Sequence, residues 1–600
     1  MKLFVFIIFY SCIVKCFSQI SGPSQKIKLL HADSLIGKAI TGEEIFSGNV
    51  SVIQGVVKIQ SDVIKLFSKE NRATFNGNVK IEQPGLVITA GNGDYDGSTR
   101  LATGTDGISL TEDNAIITAQ TGVYNTYNKR AKFLNDVIVK QGNTIVKAPQ
   151  ADYSSIDKKV EFKGRVNYSE GTTNLSANNA TYYTITKKSF FSGNVVLIDK
   201  ELSLTSDFGE IDNLTNKAVF RGNLKVSNNN MNVISEQVEF DNVTKKANFK
   251  GKVIMNDKGT ITYADEINYD INTGRALLNG IVSVENDSIK INANKIDFNK
   301  KTGESIITGN GVLYLKKENT LITGDTMINK SKEGYSKAFG NPKIVFVETI
   351  KNESSTGKQN GDTTIITADT IESFKNDTNQ NYIGNGNFKI VKGSMKAVAD
   401  IGKYFVKESV IILSKNTVKL IDKPITGELI DTNFLNKDSS ISQKIINSDC
   451  SNTRPSIPVI WYENSQISAD SISIGLANKK INSINAIGKG LTVMKNKLEN
   501  RFDQIYADSL FFIIKSDTIR KVNCIKYASS IYYLYDNENP NGVEQVSGDK
   551  IEIYFKEGKP NKIKVNATSE ISTKGEYFPE GLVKNNELKF KLENFRYFVK

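Results

Sequence analysis

The chain has 600 residues, 24% of them charged, a formal net charge of +12, four Cys and a single His. One histidine leaves almost nothing for imidazole metal sites or for Ser-His and Cys-His catalysis, and no carboxylate pair stands out for glycosidase chemistry. The reading is therefore of a non-enzyme without cofactor or metal, and so few cysteines cannot be the framework of a chain this long.

The first eighteen residues, "MKLFVFIIFYSCIVKCFS", have one Lys, an apolar run from Leu3 to Val14 and a short polar end. This predicts a secretory signal peptide over 1–18, cut after Ser18, because the run is too short to span a bilayer stably. A lipid anchor would use Cys12 or Cys16, but Cys16 follows Lys15 and Cys12 sits inside the apolar run. Cleavage removes Lys2 and Lys15, lowering the charge from +12 to +10, and leaves Cys450 and Cys524, either a disulfide or two isolated strand residues. A basic exported protein can favour anionic partners, yet most lysines lie in turns such as "TKKS", where a solvated charge needs none. No nucleic-acid partner is expected.

From residue 46 a phrase returns: "FSGNVSV" at 46, "FNGNVKI" at 75, "FSGNVVL" at 191 and "FRGNLKV" at 220. Its first residue falls at Phe46, Phe75, Phe133, Phe162, Phe191, Phe220, Phe249, Leu278 and Ile307, a spacing of 29 with one absent member at Gly104. A second phrase, such as "ITAGNGDYD" at 88–96, keeps the same beat, with Tyr95, Tyr124, Tyr153 and Tyr182 among its larger residues. Between the phrases sit Asn, Lys, Thr and Gly, so each unit reads as strand, turn, strand, link. Alternation places residues 46, 48, 50 and 52 on one face, which puts the recurring glycines beside the aromatic. There they mark either bulges or notches. The fold class is all-β, because no segment past the leader offers helical spacing over a useful length.

The beat loosens at "AFGNPKIVF", 338–346, followed by a polar insertion over 347–365. The phrases resume in "ITADTIESF", "YIGNGNFKI" and "YADSLFFII", with a second interruption over 430–458. The chain thus divides into a repeat block over 27–346 and a second, diverged block of the same architecture over 366–600.

A leader followed by tandem "TADxxxYD–turn–KAxFxGNVxV" units resembles the OstA-like family, whose best-known members are the LptA bridge proteins and the N-terminal domain of LptD. The resemblance is clearest from Ala32 to Ile344 and implies an elongated open β-jellyroll whose apolar interior holds lipid acyl chains. It implies a periplasmic bridge or scaffold in lipopolysaccharide transport to the outer membrane. The implied partners are lipopolysaccharide or a related glycolipid, other jellyroll transport proteins at the edge strands, and an outer-membrane translocon. The implied lipid-binding face is Phe46, Val50, Phe75, Val79, Phe133, Val137, Phe162, Val166, Phe191, Val195, Phe220, Leu224, Phe249, Val253, Leu278 and Val282. The first repeat, Ala32 to Val52, and the last, Ile551 to Val565, are the expected joints, since unpaired edges invite strand addition. The chain departs from the family in being several times longer than a simple bridge protein. Two other readings stand: an exported right-handed parallel β-helix acting as an adhesin or polysaccharide-active protein, and a closed spacer without ligand.

Overall fold

The computed structural model describes residues 25–38, 43–350, 359–376, 379–415, 455–496, 501–536, 539–556, 559–566, 573–583, 590–592 and 595–598. The leader, Cys450 and most of the 430–458 interruption lie outside them. Among the described residues strand follows strand, and the one helix is a single turn, Glu580–Val583. Successive strands such as Glu43–Gln54, Val57–Phe67, Arg72–Gln83 and Leu86–Asp96 pair antiparallel with their neighbours in sequence. Joints of only two or four residues connect them, and such joints cannot close a parallel pair. This overturns the parallel β-helix. The chain forms two compact units, residues 1–259 with 266–272, and residues 260–265 with 273–600.

In the first unit every second long strand carries a bulge near its middle. Between the strands Arg72–Gln83 and Leu86–Asp96 the register runs Asn76↔Asn92 and then Val79↔Ala90, three steps against two. The extra length falls on Gly77 and Asn78, both left-handed at φ 79° and 49°. Glycine enters that region freely and asparagine with little penalty, which is why "GN" recurs. A side chain on Gly77 would meet the Asp62 carboxylate at 2.4 Å, so the glycine faces the acid of the preceding strand. The recurring glycines are therefore corner bulges, and the notch beside the aromatic is corrected. The Asp position caps the same corner, as Asn78 donates to Asp62 at 2.8 Å and Asn223 to Asp207 at 2.8 Å.

The absent member of the repeat keeps its corner. Asp106 and Gly107 take the left-handed pair at φ 60° and 84°, at the two positions the phrase predicts but with the glycine second instead of first. In the following unit Asn135 and Asp136 do so without any glycine. The corner bends each strand so that its two halves belong to two facing half-sheets. The interior between them holds the Phe, Val and Tyr of the phrases.

In the second unit Leu278 and Val282 are buried, and a separate core gathers around Phe388, Ile390, Ile484, Leu510 and Phe512. The strands Lys343–Ile350 and Gln359–Thr367 pair antiparallel on either side of 351–358. Residues 596–598 lie across the strand Ser465–Ser468, where Gln466 bonds the backbone of Arg596 and Phe598. Every residue of that strand is consequently buried. The buried Arg501 guanidinium grips Glu580 through two hydrogen bonds, 2.6 and 3.1 Å, and anchors the start of this crossing. Cys524 is a buried free thiol, its pKa pushed up to about 12 by burial.

Candidate functional site

The interior is built from positions that alternation makes inward-facing. All sixteen residues of the implied lipid face are at most 6% exposed, fourteen in the first unit and Leu278 and Val282 in the second. In the first unit Phe75, Phe133, Phe162, Phe191 and Phe220 each have a small cross-strand partner, whereas Phe46 pairs with Leu35 and Ile64 and Phe249 with Val238. Phe162 pairs with Ala151 and Ala180, and Phe191 with Ala180 and Gly209. A Cβ on Gly209 would come within 2.8 Å of the Phe220 ring, so the ring fills the space the glycine leaves. Where the phrase lacks its aromatic, at Gly104, Ile108 leans in and a void of about 10 Å3 remains. A void of this size is about the least that can hold one water, so this stretch has no room for hydrocarbon.

The corners close one side of the interior, and the other side is a mouth between the strand ends. Here the structure reveals residues that the sequence reading did not assign. Tyr124 donates its phenol proton to the Gln83 amide oxygen at 2.5 Å, and Tyr182 donates to Gln141 at 2.6 Å. Tyr95 donates to Gln54 and Tyr153 to Glu112 in the same way. Each acceptor ends one strand and each tyrosine ends the strand three along, on the opposite half-sheet, so the bond spans the mouth. The glutamines also bond the opposing turns, Gln54 to the Gly97 carbonyl at 2.8 Å and Gln83 to that of Thr126 at 3.0 Å. Glu112 takes Ser155 at 2.7 Å and Lys158 at 2.8 Å as well. Burial raises the Tyr182 pKa to about 12 and lifts Tyr124 and Tyr153 further, so the rungs are made by neutral phenols.

The signal for these rungs was present, because Gln54, Gln83, Glu112 and Gln141 recur at 29 residues. A polar residue at a strand end reads as the start of a turn, and nothing local distinguishes it from one.

The rungs stop. The last clasp is Asn213, bonded to Thr144 at 3.2 Å and to the Tyr168 phenol at 3.0 Å. The position after Tyr182 is Ile211 and the next is Phe240, neither able to make the bond. From Asp199 to Asp257 the inward ends are Leu202, Ile211, Met231, Phe240 and Met255, all half-buried. The interior therefore meets solvent through an apolar mouth in this stretch alone of the first unit's long strands, while Phe220, Leu224, Phe249 and Val253 behind it remain buried. An apolar slot between two sheets, open along one side, can take up extended hydrocarbon if the half-sheets part.

Residues 24–169 match the family described as OstA-like protein, and residues 145–275 and 204–335 match that described as LptA/(LptD N-terminal domain) LPS transport protein. A similar solved structure is LptH, the LptA homologous periplasmic component of the conserved lipopolysaccharide transport device from Pseudomonas aeruginosa. It is 21% identical over 20% of this chain and 86% of its own, with a TM-score of 0.17. No curated protein sequence matches the chain.

Proposed function

The chain belongs to the OstA-like/LptA family, by matches that together span residues 24–335, and from that premise we propose that it serves lipopolysaccharide transport as an exported, non-enzymatic scaffold. Acyl chains of lipopolysaccharide or a related glycolipid lie between the half-sheets against Phe191, Val195, Phe220, Leu224, Phe249 and Val253. The observation that carries this reading is the apolar mouth over 199–257, clasped at Asn213 and lacking tyrosine rungs, in front of a buried apolar interior. The clasped stretch before it, with no room for hydrocarbon, is a rigid spacer.

The protein works in the periplasm and meets other jellyroll transport proteins, and through them an outer-membrane translocon, at its edges. In support, Lys28–His31 and Ser34–Lys38 pair with Glu43–Gln54 alone among the described residues, and Leu35 and Ile36 stand exposed on that edge. A photo-crosslinker at 220 or 249 should trap lipopolysaccharide in cells. One at Asn223, which is exposed and held by Asp207, should not. Equal crosslinking at inward and outward positions, or at 133 as strongly as at 220, would reject the reading.

A further inference from the structure

The four-residue turns of the first unit carry a second periodic feature that lipid carriage does not use. At the second residue of five successive turns stand Tyr127, Ile156, Ile185, Leu214 and Val243, again 29 apart. They are 57–81% exposed, at a position where turn chemistry calls for Asn, Gly or Ser. A single exposed apolar residue needs no explanation, but five in register form a row. Two strands separate neighbours, which spaces the tips about 10 Å apart.

The tips are held rigidly. The Asp212 carboxylate accepts the N–H groups of Leu214 and Thr215 at 3.0 and 3.1 Å, Asp241 does the same for Val243 and Thr244, and Asn125 for Tyr127 and Asn128. The backbone is thus pinned and the apolar side chain projects from the apex.

The same turns are cationic. Residues 125–130, 154–159, 183–188, 212–217 and 241–246 contain nine Lys or Arg against three Asp. Lys129, Lys158, Lys187 and Lys245 occupy a left-handed position, φ 51–56°, that is Asn71, Asn216 or Gly274 in other turns. Since the geometry accepts Asn and Gly more readily, the turn does not dictate lysine there. Lys187, Lys245 and Lys246 are exposed, and none has a carboxylate partner among the described residues. The rim across the mouth is mixed, with Lys140, Lys200 and Lys258 among Glu112, Asp113, Glu170, Asp199, Glu201 and Asp257, and its Glu112 and Asp113 bind Lys158.

We propose that this rim is a membrane-docking edge, on which the apolar tips enter the interface of an anionic lipid bilayer and the lysines meet its headgroups. Separate tips about 10 Å apart suit a fluid apolar medium rather than the matched pocket of a protein. A second copy docking by the same rim is disfavoured because two such rims, each with nine Lys or Arg against three Asp, would repel. The proposal is independent of what the interior holds.

The test is flotation of the exported full chain with phosphatidylcholine vesicles, with and without phosphatidylglycerol. The wild type should float with the anionic vesicles and lose binding as salt rises. I156S/I185S/L214S/V243S should bind about tenfold more weakly, and K129Q/K187Q/K245Q/K246Q should lose the preference for phosphatidylglycerol. Both variants alter exposed turns and should retain the β-type circular dichroism and the crosslink at 220, which separates failure here from failure of the lipid-carrier reading. A wild type that stays off the vesicles, or a tip variant that floats as well as the wild type, would overturn the proposal. So would a tip variant that loses only the capture of an anionic protein.

Discussion

Residues 43–182 and 199–257 are built from the same phrase and differ at the mouth. Both have corners made by left-handed pairs, Gly77–Asn78 in one and Gly222–Asn223 in the other, and both bury their Phe and Val. In the first, Gln54, Gln83, Glu112 and Gln141 clasp a tyrosine across the opening; in the second, Ile211 and Phe240 stand where the tyrosine would be. A buried phenol–amide bond adds about 1 kcal/mol and also excludes water from the seam. Replacing tyrosine by an aliphatic or phenyl side chain removes the clasp without exposing the deep interior. One repeat thus gives a mouth with or without tyrosine rungs according to two positions.

The largest test of this contrast is core truncation. Phe162→Ala should destabilise by about 3–5 kcal/mol, because the clasped half-sheets cannot collapse or admit solvent. Phe220→Ala should be milder by about 1–2 kcal/mol, since its surroundings can relax through the open mouth. Urea unfolding of both variants measures the difference, and equal values would break the distinction.

Corners should behave alike in both regions. Gly77→Ala and Gly222→Ala each place a Cβ against an aspartate at a left-handed φ, for about 2 kcal/mol apiece in the same unfolding assay. If only one were destabilising, the two regions would differ in more than their mouths.

The clasped region should also be sensitive to alkali. Tyr182 titrates near 12 when folded and near 10 when unfolded, so the folded state keeps a proton that the unfolded chain releases. Its contribution is intact below pH 10 and is lost at about 1.4 kcal/mol per pH unit as pH rises from there to about 12. Tyr182→Phe should flatten that part of the profile, and the 199–257 stretch should show no matching slope. Thermal unfolding between pH 9 and pH 12, followed by region-specific fluorescence labels, reads both.

The smallest effect is local. Tyr124→Phe should lower stability by about 1 kcal/mol. Amide exchange at Thr121–Asn125 should then quicken toward that of Leu202–Asp212, which in the wild type should already be about tenfold faster. Unchanged exchange would mean that packing, rather than the rung, closes the mouth.

Much of this was legible beforehand. The 29-residue beat and strand alternation assign Phe75, Val79, Phe191 and Val195 to the interior, where the structure buries them. Unbroken alternation through the phrase places the glycine of "FxGNV" on the same face. A left-handed pair inserts an extra residue and turns Gly77 toward Asp62 instead. The member absent at Gly104 was a gap in the text only, since Asp106–Gly107 makes the same bend.

By itself the sequence determined that this chain is a run of antiparallel strands with one apolar face, because a strict period states which positions are equivalent. It could not state which inequivalent positions touch. Tyr124 meets Gln83 over 41 residues, a separation that is no multiple of 29, so it joins two different phases of the repeat. That contact exists because each corner bends its strand far enough to bring opposite ends together three strands apart. The bend is a property of backbone geometry summed through packed neighbours, and only the tertiary structure decided where the mouth is clasped and where it is open.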